Sequence, residues 1–279
     1  MKIAIQGTFG AFHDIAARHY FAGDESISIV PAETFADLVT ITEAAETVDV
    51  AMMAIENTIA GSLMDNYKLL NNSTLKIKGE VFLRIRQNLM AIEDVEISDI
   101  KEVYSHPVAL AQCEAFFQAY PHIKLIEASD TALSAKKISD EKRRDAAAIA
   151  SSLAAEMYDL NIIAPSIETY KKNYTRFLVL QNGLEDLKNS IKNKASFCFT
   201  LKHEVGSLYK VLALLALRNA NLTKIKSVTI PEEPWRYLFF IDFTFAQVVD
   251  YEMVMFELSD LTEDLKVLGV YEQGNFYEW

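Results

Sequence analysis

Four short polar clusters carry the residue types able to do chemistry, and each stands where an apolar, strand-like run gives way to a new element or opens one. The first is Gly7–His13, GTFGAFH, whose two glycines permit a tight turn and a close backbone approach to a ligand. The second is Ala54–Ser62, AIENTIAGS. Here Glu56 could exchange a proton or order its neighbours, while Asn57 and Thr58 supply an amide and a hydroxyl. The third, Tyr104–Cys113, offers Ser105 as a helix N-cap or its neighbour, and Gln112 near the helical face of Val108 and Ala109. The fourth is Asn173–Phe177, NYTRF. It pairs the Thr175 hydroxyl with the Arg176 guanidinium, a planar fork suited to a carboxylate. Each cluster also has a plain reading as a connection, a polar turn, a capped helix or a strand start.

The elements around these clusters decide whether they can meet. Strands are expected over 2–6, 27–30, 48–55, 76–90, 103–105, 125–128 and 175–180. Helices are expected over 11–22, 34–45, 106–120, from Asp130, and over the alanine-rich 146–158. Thr34 is the candidate cap of the second helix, and Pro107 sits in a first turn, where a missing N–H costs nothing. This alternation predicts an α/β region with mainly parallel strands, in one sheet or two. In such sheets ligands gather at the carboxyl edge, where helix N-termini present free N–H groups to anions. The polar stretch 181–194 reads as a linker. Beyond it, strand 195–201, helix 207–220, strands 222–230 and 235–245, helix 251–261 and strand 265–271 give a βαββαβ order, the ferredoxin-like unit, with a turn at 231–234.

Composition narrows the function. The 279 residues hold 27 Lys and Arg against 39 Asp and Glu, a net charge of −12. Nucleic-acid and anionic-membrane partners are therefore disfavoured. Cys113 and Cys198 are the two cysteines, far apart and without metal-type spacing. Reduced thiols, no export signal and a cytoplasmic location are expected. No apolar run is long enough for a membrane span. Walker A, G-x-G-x-x-G, G-x-S-x-G and H-E-x-x-H patterns are absent, and His13 and His19 would face different sides of a helix. A cofactor-free enzyme or a binding protein fits this inventory.

Taken together, the clusters resemble those of the prephenate dehydratases that carry a C-terminal ACT-type regulatory domain. The resemblance rests on Gly7-x-x-Gly10, Ile55-Glu56-Asn57-Thr58, Gly79-Glu80-Val81, Ser105-His106-Pro107, Ala109–Cys113, Asp130-Thr131-Ala132, Ala147–Ser151 and Asn173–Phe177, in this order. His13 and Ala54 depart from the family's usual residues. The resemblance implies a two-lobed catalytic region over 1–180, similar to type II periplasmic binding proteins, with the site in the interlobe cleft. An ACT domain is implied over 195–279. The implied reaction converts prephenate to phenylpyruvate, carbon dioxide and water, without metal or redox cofactor. By motif, Thr175 is the essential hydroxyl and candidate proton donor, with Asn57, Ser105, Gln112 and Glu56 as catalytic companions. Arg176, Phe177, Thr58, Thr131 and Gly10 are the implied substrate-binding residues.

In the C-terminal part, Gly206-Ser207-Leu208 and Asn221-Leu222 match motifs of the family's phenylalanine pocket, formed between two such domains. The usual Glu-Ser-Arg-Pro is Lys226-Ser227-Val228-Thr229 here. Feedback by L-phenylalanine and a homodimer or dimer of dimers are implied. Trp235, Tyr237 and Phe239 alternate, as core or dimer contacts. Two other readings stand beside this one. An arogenate dehydratase would perform the same elimination on the aminated substrate. A non-catalytic amino-acid sensor would use the clusters only to hold a ligand.

Overall fold

A computed structural model describes residues 1–24, 26–183, 192–230 and 233–278. The chain opens with β1 (Lys2–Gln6), α1 (Phe12–Tyr20), β2 (Ser28–Ala32), α2 (Phe35–Ala44), β3 (Val50–Asn57), β4 (Gly61–Ser62), α3 (Met64–Asn72) and β5 (Lys76–Arg84). It then leaves for a second lobe of β6 (Asn88–Ala91), β7 (Glu102–Ser105), α4 (Pro107–Gln112), α5 (Glu114–Phe117), β8 (Lys124–Glu127), α6 (Thr131–Glu141), β9 (Ala146–Ala150), α7 (Ser152–Met157) and β10 (Asn161–Ala164). It returns through β11 (Tyr174–Gln181) and continues into β12 (Lys194–Thr200), α8 (Ser207–Leu217), β13 (Asn221–Thr229), β14 (Tyr237–Thr244), α9 (Val248–Leu261), β15 (Glu263–Tyr271) and β16 (Phe276–Tyr277). Most of the stretch read as a linker, 184–191, lies outside the described residues.

These strands make three sheets. The first lobe holds the order β16-β5-β11-β3-β1-β2, with β4 on β3; the second holds β10-β6-β9-β7-β8; the third sheet is β13-β14-β12-β15. The question of one sheet or two before residue 180 is thus answered by two, and the pairing is mixed. β1 lies parallel to β2 and β3, whereas β11 runs antiparallel to both β3 and β5. In the second lobe β7 is parallel to β8 and β9, and β6 antiparallel to β9 and β10. The expectation of mainly parallel strands fails at the strands that cross between lobes, because a returning chain enters each sheet from the opposite end.

Two further corrections concern elements. The helix expected over 146–158 is a strand followed by a short helix. Ala146–Ala150 is buried at every position, and Ser151 caps α7 by accepting the Ala154 N–H at 3.0 Å. A continuous apolar run satisfies a doubly covered strand as well as a helix, and alanine lets α6 lie close above it. The expected strand 76–90 is two strands in two different sheets, split at Ile85–Gln87, where the chain passes between lobes. The helix α3 and strands β10 and β16 have no counterpart in the sequence reading. The Thr34 cap forms with its capping box to Asp37, and the cap of α4 is His106, whose Nδ1 accepts the Val108 N–H at 3.2 Å. Ser105 is thus the neighbour of the cap, the second of the two places expected for it.

The third sheet has the βαββαβ order, with strands arranged 2-3-1-4. Its outer face is covered by α8 and α9 over Phe197, Phe199, Ile241 and Phe243. Its inner face packs on the first lobe, where Cys198, Phe240, Leu268 and Tyr271 share a core with Tyr67, Ile77 and Leu178. The approach is close enough that a Cβ on Gly269 would lie 2.3 Å from the Ile77 carbonyl oxygen. Phe239 packs against the helix-side core, whereas Trp235 precedes its strand and is exposed.

Candidate active site

The carboxyl ends of β1, β3 and β7 and the N-terminal ends of α1, α4 and α6 converge on a cleft of about 360 Å³ between the two lobes. The volume suits a small aromatic-sized ligand. From the first lobe it is lined by Gln6, Phe12, His13, Asn57, Thr175 and Phe177, and from the second by His106, Gln112, Ser129, Asp130 and Thr131. Ile85 and Gln87 line its floor, where the chain crosses. The crossing is tied to the return segment: Ile85 N–H donates to the Asn173 carbonyl at 2.7 Å, and Ile167 N–H to the Gln87 carbonyl at 2.7 Å.

A chain of amides fixes the Thr175 hydroxyl. Asn57 Oδ1 accepts two backbone N–H groups, from Ile59 at 2.9 Å and Ala60 at 2.8 Å. That orients the carboxamide, so its Nδ2 donates to Thr175 Oγ1 at 3.0 Å and to Asn173 Oδ1 at 2.7 Å. Asn173 Nδ2 in turn donates to Gln112 Oε1 at 3.0 Å, with Gln87 Nε2 donating to the same oxygen at 3.4 Å. The chain therefore joins both lobes and the crossing. Because Thr175 Oγ1 accepts from Asn57, its own proton is directed to another acceptor. Among the described residues, Gln87 Oε1 is buried without a partner at this floor, as is Oε1 of Glu168, whose Oε2 accepts the Gln87 N–H at 2.9 Å.

His13 lies against Phe177 edge-on, at 5.0 Å between ring centres, and its Nε2 accepts the Ala54 N–H at 3.2 Å. Burial pushes its pKa down to about 3, so the ring is neutral near pH 7. Asp130 caps α6 by accepting the Leu133 N–H at 2.8 Å, and burial raises its carboxyl above the ordinary carboxylate range.

The structure brings together Thr175, Asn57, Gln112, Phe177 and Thr131, and separates the rest. Ser105 is fully buried and turned away, donating to the Ile149 carbonyl at 2.7 Å. Glu56 points to the third sheet, where Lys224 Nζ meets it at 2.6 Å. Arg176, expected to hold a substrate carboxylate, faces the same way. It donates to Glu80 at 2.7 Å, Asp242 at 2.5 Å and the Tyr271 hydroxyl at 3.0 Å. Strand alternation is the reason: Thr175 and Phe177 take the cleft face of β11, and Arg176 the other. The β3 pairing slips here, Arg176 lying opposite Glu56 and Phe177 opposite Ala54, so Ile55 and Glu56 both turn from the cleft.

Thr58 binds backbone instead, its hydroxyl accepting the Tyr174 N–H at 2.9 Å. Gly10 is a lobe contact: at φ +81° its absent Cβ would lie 2.8 Å from Ala154 Cα. Gly206, Ser207 and Leu208 start α8, whereas Asn221 and Leu222 follow its far end, so one chain does not bring these two motifs together.

Gln87, His13 and His106 line the cleft and Asn173 is buried behind it, and the sequence reading does not assign them roles. Asn173 and His106 lie inside the quoted clusters. Gln87 has no local signal beyond the polar break between two apolar strands. Asp130 is read there only as a helix start.

Comparisons with known proteins identify the family. A family model for prephenate dehydratase matches residues 3–184. The chain is 38% identical over 285 residues to an arogenate dehydratase/prephenate dehydratase of Arabidopsis thaliana, covering 97% of this chain and 72% of that protein. Among solved structures, a prephenate dehydratase from Arthrobacter aurescens in complex with L-Phe superposes with a TM-score of 0.86 at 25% identity, covering 97% of this chain and 90% of that one. A structure described as a novel type of quorum-quenching acylase superposes equally well, at 0.86 and 29% identity over 98% of both chains. With its model spanning both lobes and a relative this similar over nearly the whole length, the chain belongs to the prephenate dehydratase family and is a hydro-lyase of aromatic amino-acid biosynthesis.

Proposed function

We propose that the interlobe cleft carries out the decarboxylating dehydration of prephenate with Thr175 as the proton donor to the leaving hydroxyl. The observation carrying this is the Asn57–Thr175 hydrogen bond at 3.0 Å. A neutral threonine is a weak acid, and its conjugate alkoxide is costly. The Asn57 N–H, aimed at Oγ1 and locked by two backbone donors, stabilises negative charge as it develops there. As the proton moves to the ring hydroxyl, that C–O bond breaks and water leaves. The bond to the ring carboxylate releases carbon dioxide, and its electron pair completes the aromatic ring. Aromatisation supplies the drive, so the residues have mainly to orient the substrate and place one proton. Phe12, Phe35 and Phe177 offer the apolar surface for the ring, and Gln6, Gln87, Gln112 and Thr131 offer donors for carboxylates. Closure of the lobes about the 85–87 and 165–173 crossings would compress the same amide chain.

The third sheet is read as an ACT-type regulatory domain responding to L-phenylalanine. Its βαββαβ topology and the L-Phe complex of the Arthrobacter relative support this. The separation of Gly206–Leu208 from Asn221–Leu222 by the length of α8 fits a pocket completed by a second chain, and Phe256 and Met253 on α9 give an exposed apolar face for such pairing. Two buried free thiols, Cys113 and Cys198, are consistent with a cytoplasmic setting.

Phenylpyruvate formation from prephenate by the purified chain tests the catalytic reading. Thr175→Val should lose most turnover and Thr175→Ser retain much of it. Equal activity of wild type and the valine variant would remove Thr175 from the chemistry.

A further inference from the structure

Among the described residues, Asp130 is the only Asp, Glu, Lys or Arg lining the cleft. A site for a dianion that holds one carboxylate and no cationic side chain is electrostatically odd. The helix cap does not require the charge: Asn and Ser cap as well as Asp, and Ser151 and Thr34 cap helices elsewhere in this chain. Oδ1 serves the cap, accepting the Leu133 N–H at 2.8 Å, and the Ala132 N–H also binds the carboxylate. The other oxygen, Oδ2, reaches toward the first lobe, where a Cβ on Gly7 would lie 2.9 Å from it. Glycine at φ +96° therefore leaves room for the carboxylate at the place where the lobes meet over a ligand.

The two candidate substrates differ in charge at one end. Prephenate carries a keto acid side chain and has two carboxylates with no cation. Arogenate carries an amino acid side chain, and its ammonium reduces the net charge to −1. A carboxylate in a low-dielectric cleft repels the first and pairs with the second, which is discrimination by attraction and repulsion together. Burial already disfavours the ionised Asp130, and a bound ammonium relieves that cost.

We propose that Asp130 is the specificity-determining residue of the cleft, its carboxylate receiving the ammonium of arogenate, so that the chain accepts the aminated substrate besides prephenate and favours it. This rests on the dehydratase reading above. The test is kcat/KM of the purified full chain on arogenate and on prephenate, for wild type, Asp130→Asn and Asp130→Ser, with thermal midpoints alongside. Both variants keep a capping side chain and lose the charge. The ratio of arogenate to prephenate efficiency should fall at least about tenfold in each, through a higher KM for arogenate and a better efficiency on prephenate. An unchanged ratio overturns the assignment. So does an equal loss of kcat on both substrates, which would make Asp130 a general acid or a cap. Wild type inactive on both compounds would overturn the dehydratase reading itself, a result distinguishable from failure of the Asp130 assignment alone.

Discussion

At the scale of single residues, the cleft works through orientation more than through charge. Asn57 has one task at each end of its carboxamide, so Asn57→Leu should remove the donor to Thr175 Oγ1 without touching the substrate ring. Steady-state kinetics should then show kcat reduced by roughly 10²-fold or more with a much smaller change in KM. A fall confined to KM would count against the orienting role. His13 gives a pH prediction. Its pKa is about 3 in the fold and about 6.5 unfolded, so below pH 6.5 the unfolded chain binds a proton that the folded chain refuses. Stability is intact above pH 6.5 and falls as the pH drops toward 3, by about 2 kcal/mol at pH 5 from this group alone. Denaturant titrations of His13→Gln should show a shallower loss between pH 6.5 and 4 than wild type, and parallel curves would refute it. Residue types are legible in sequence; facing is less so. The NYTRF cluster marks the site, and strand alternation sets Thr175 and Phe177 on one face and Arg176 on the other, yet nothing in it tells which face meets the cleft, or that the slip beside Ile55 turns Glu56 away.

At the scale of elements, β5 and β11 carry the interface with the third sheet. Arg176, Glu80, Lys194 and Asp242 form a buried network there, with Glu80 also held by Lys194 at 2.8 Å and by the Gly274 N–H at 3.1 Å. Such networks are costly when one partner is removed, because the others stay buried and uncompensated. Arg176→Gln should therefore lower unfolding stability by about 3–5 kcal/mol, read as a shift in the denaturant midpoint. A shift under about 1 kcal/mol would mean that the site relaxes or hydrates. The strand beginning at Ala146 shows why some elements escape a sequence reading. Helix propensity favours alanine, but burial on both sides overrides propensity, and an unbroken AAAIA has no period to decide between them. The long strands β3 and β11, the capped helix α2 and the βαββαβ order were accessible because periodicity and caps agree there. The crossings between lobes were not, since a strand pattern continues through Ile85 while the sheet changes.

At the scale of the molecule, two lobes flank a cleft and a third sheet leans on the lobe that holds Thr175. If that third sheet binds L-phenylalanine between paired chains, the amino acid should raise the thermal midpoint and lower turnover together. Phe256→Glu on the exposed face of α9 should weaken the pairing, read as a smaller species in sedimentation at equal concentration, and unchanged sedimentation would place the contact elsewhere. The topology also dictates an order of assembly. The second lobe is one continuous stretch, 88–164, whereas the first lobe lacks its central strand until residues 174–181 arrive and its edge strand until 276–277. A chain emerging from the ribosome can thus complete the inserted lobe while β3, already beside β1, and β5 still wait for β11 to come between them. Pulse-labelled hydrogen exchange during refolding should find β7 and β9 amides protected before those of β3. The enclosed lobe is then the scaffold on which its host is finished, and Thr175, the proposed proton donor, reaches its place only after that scaffold stands.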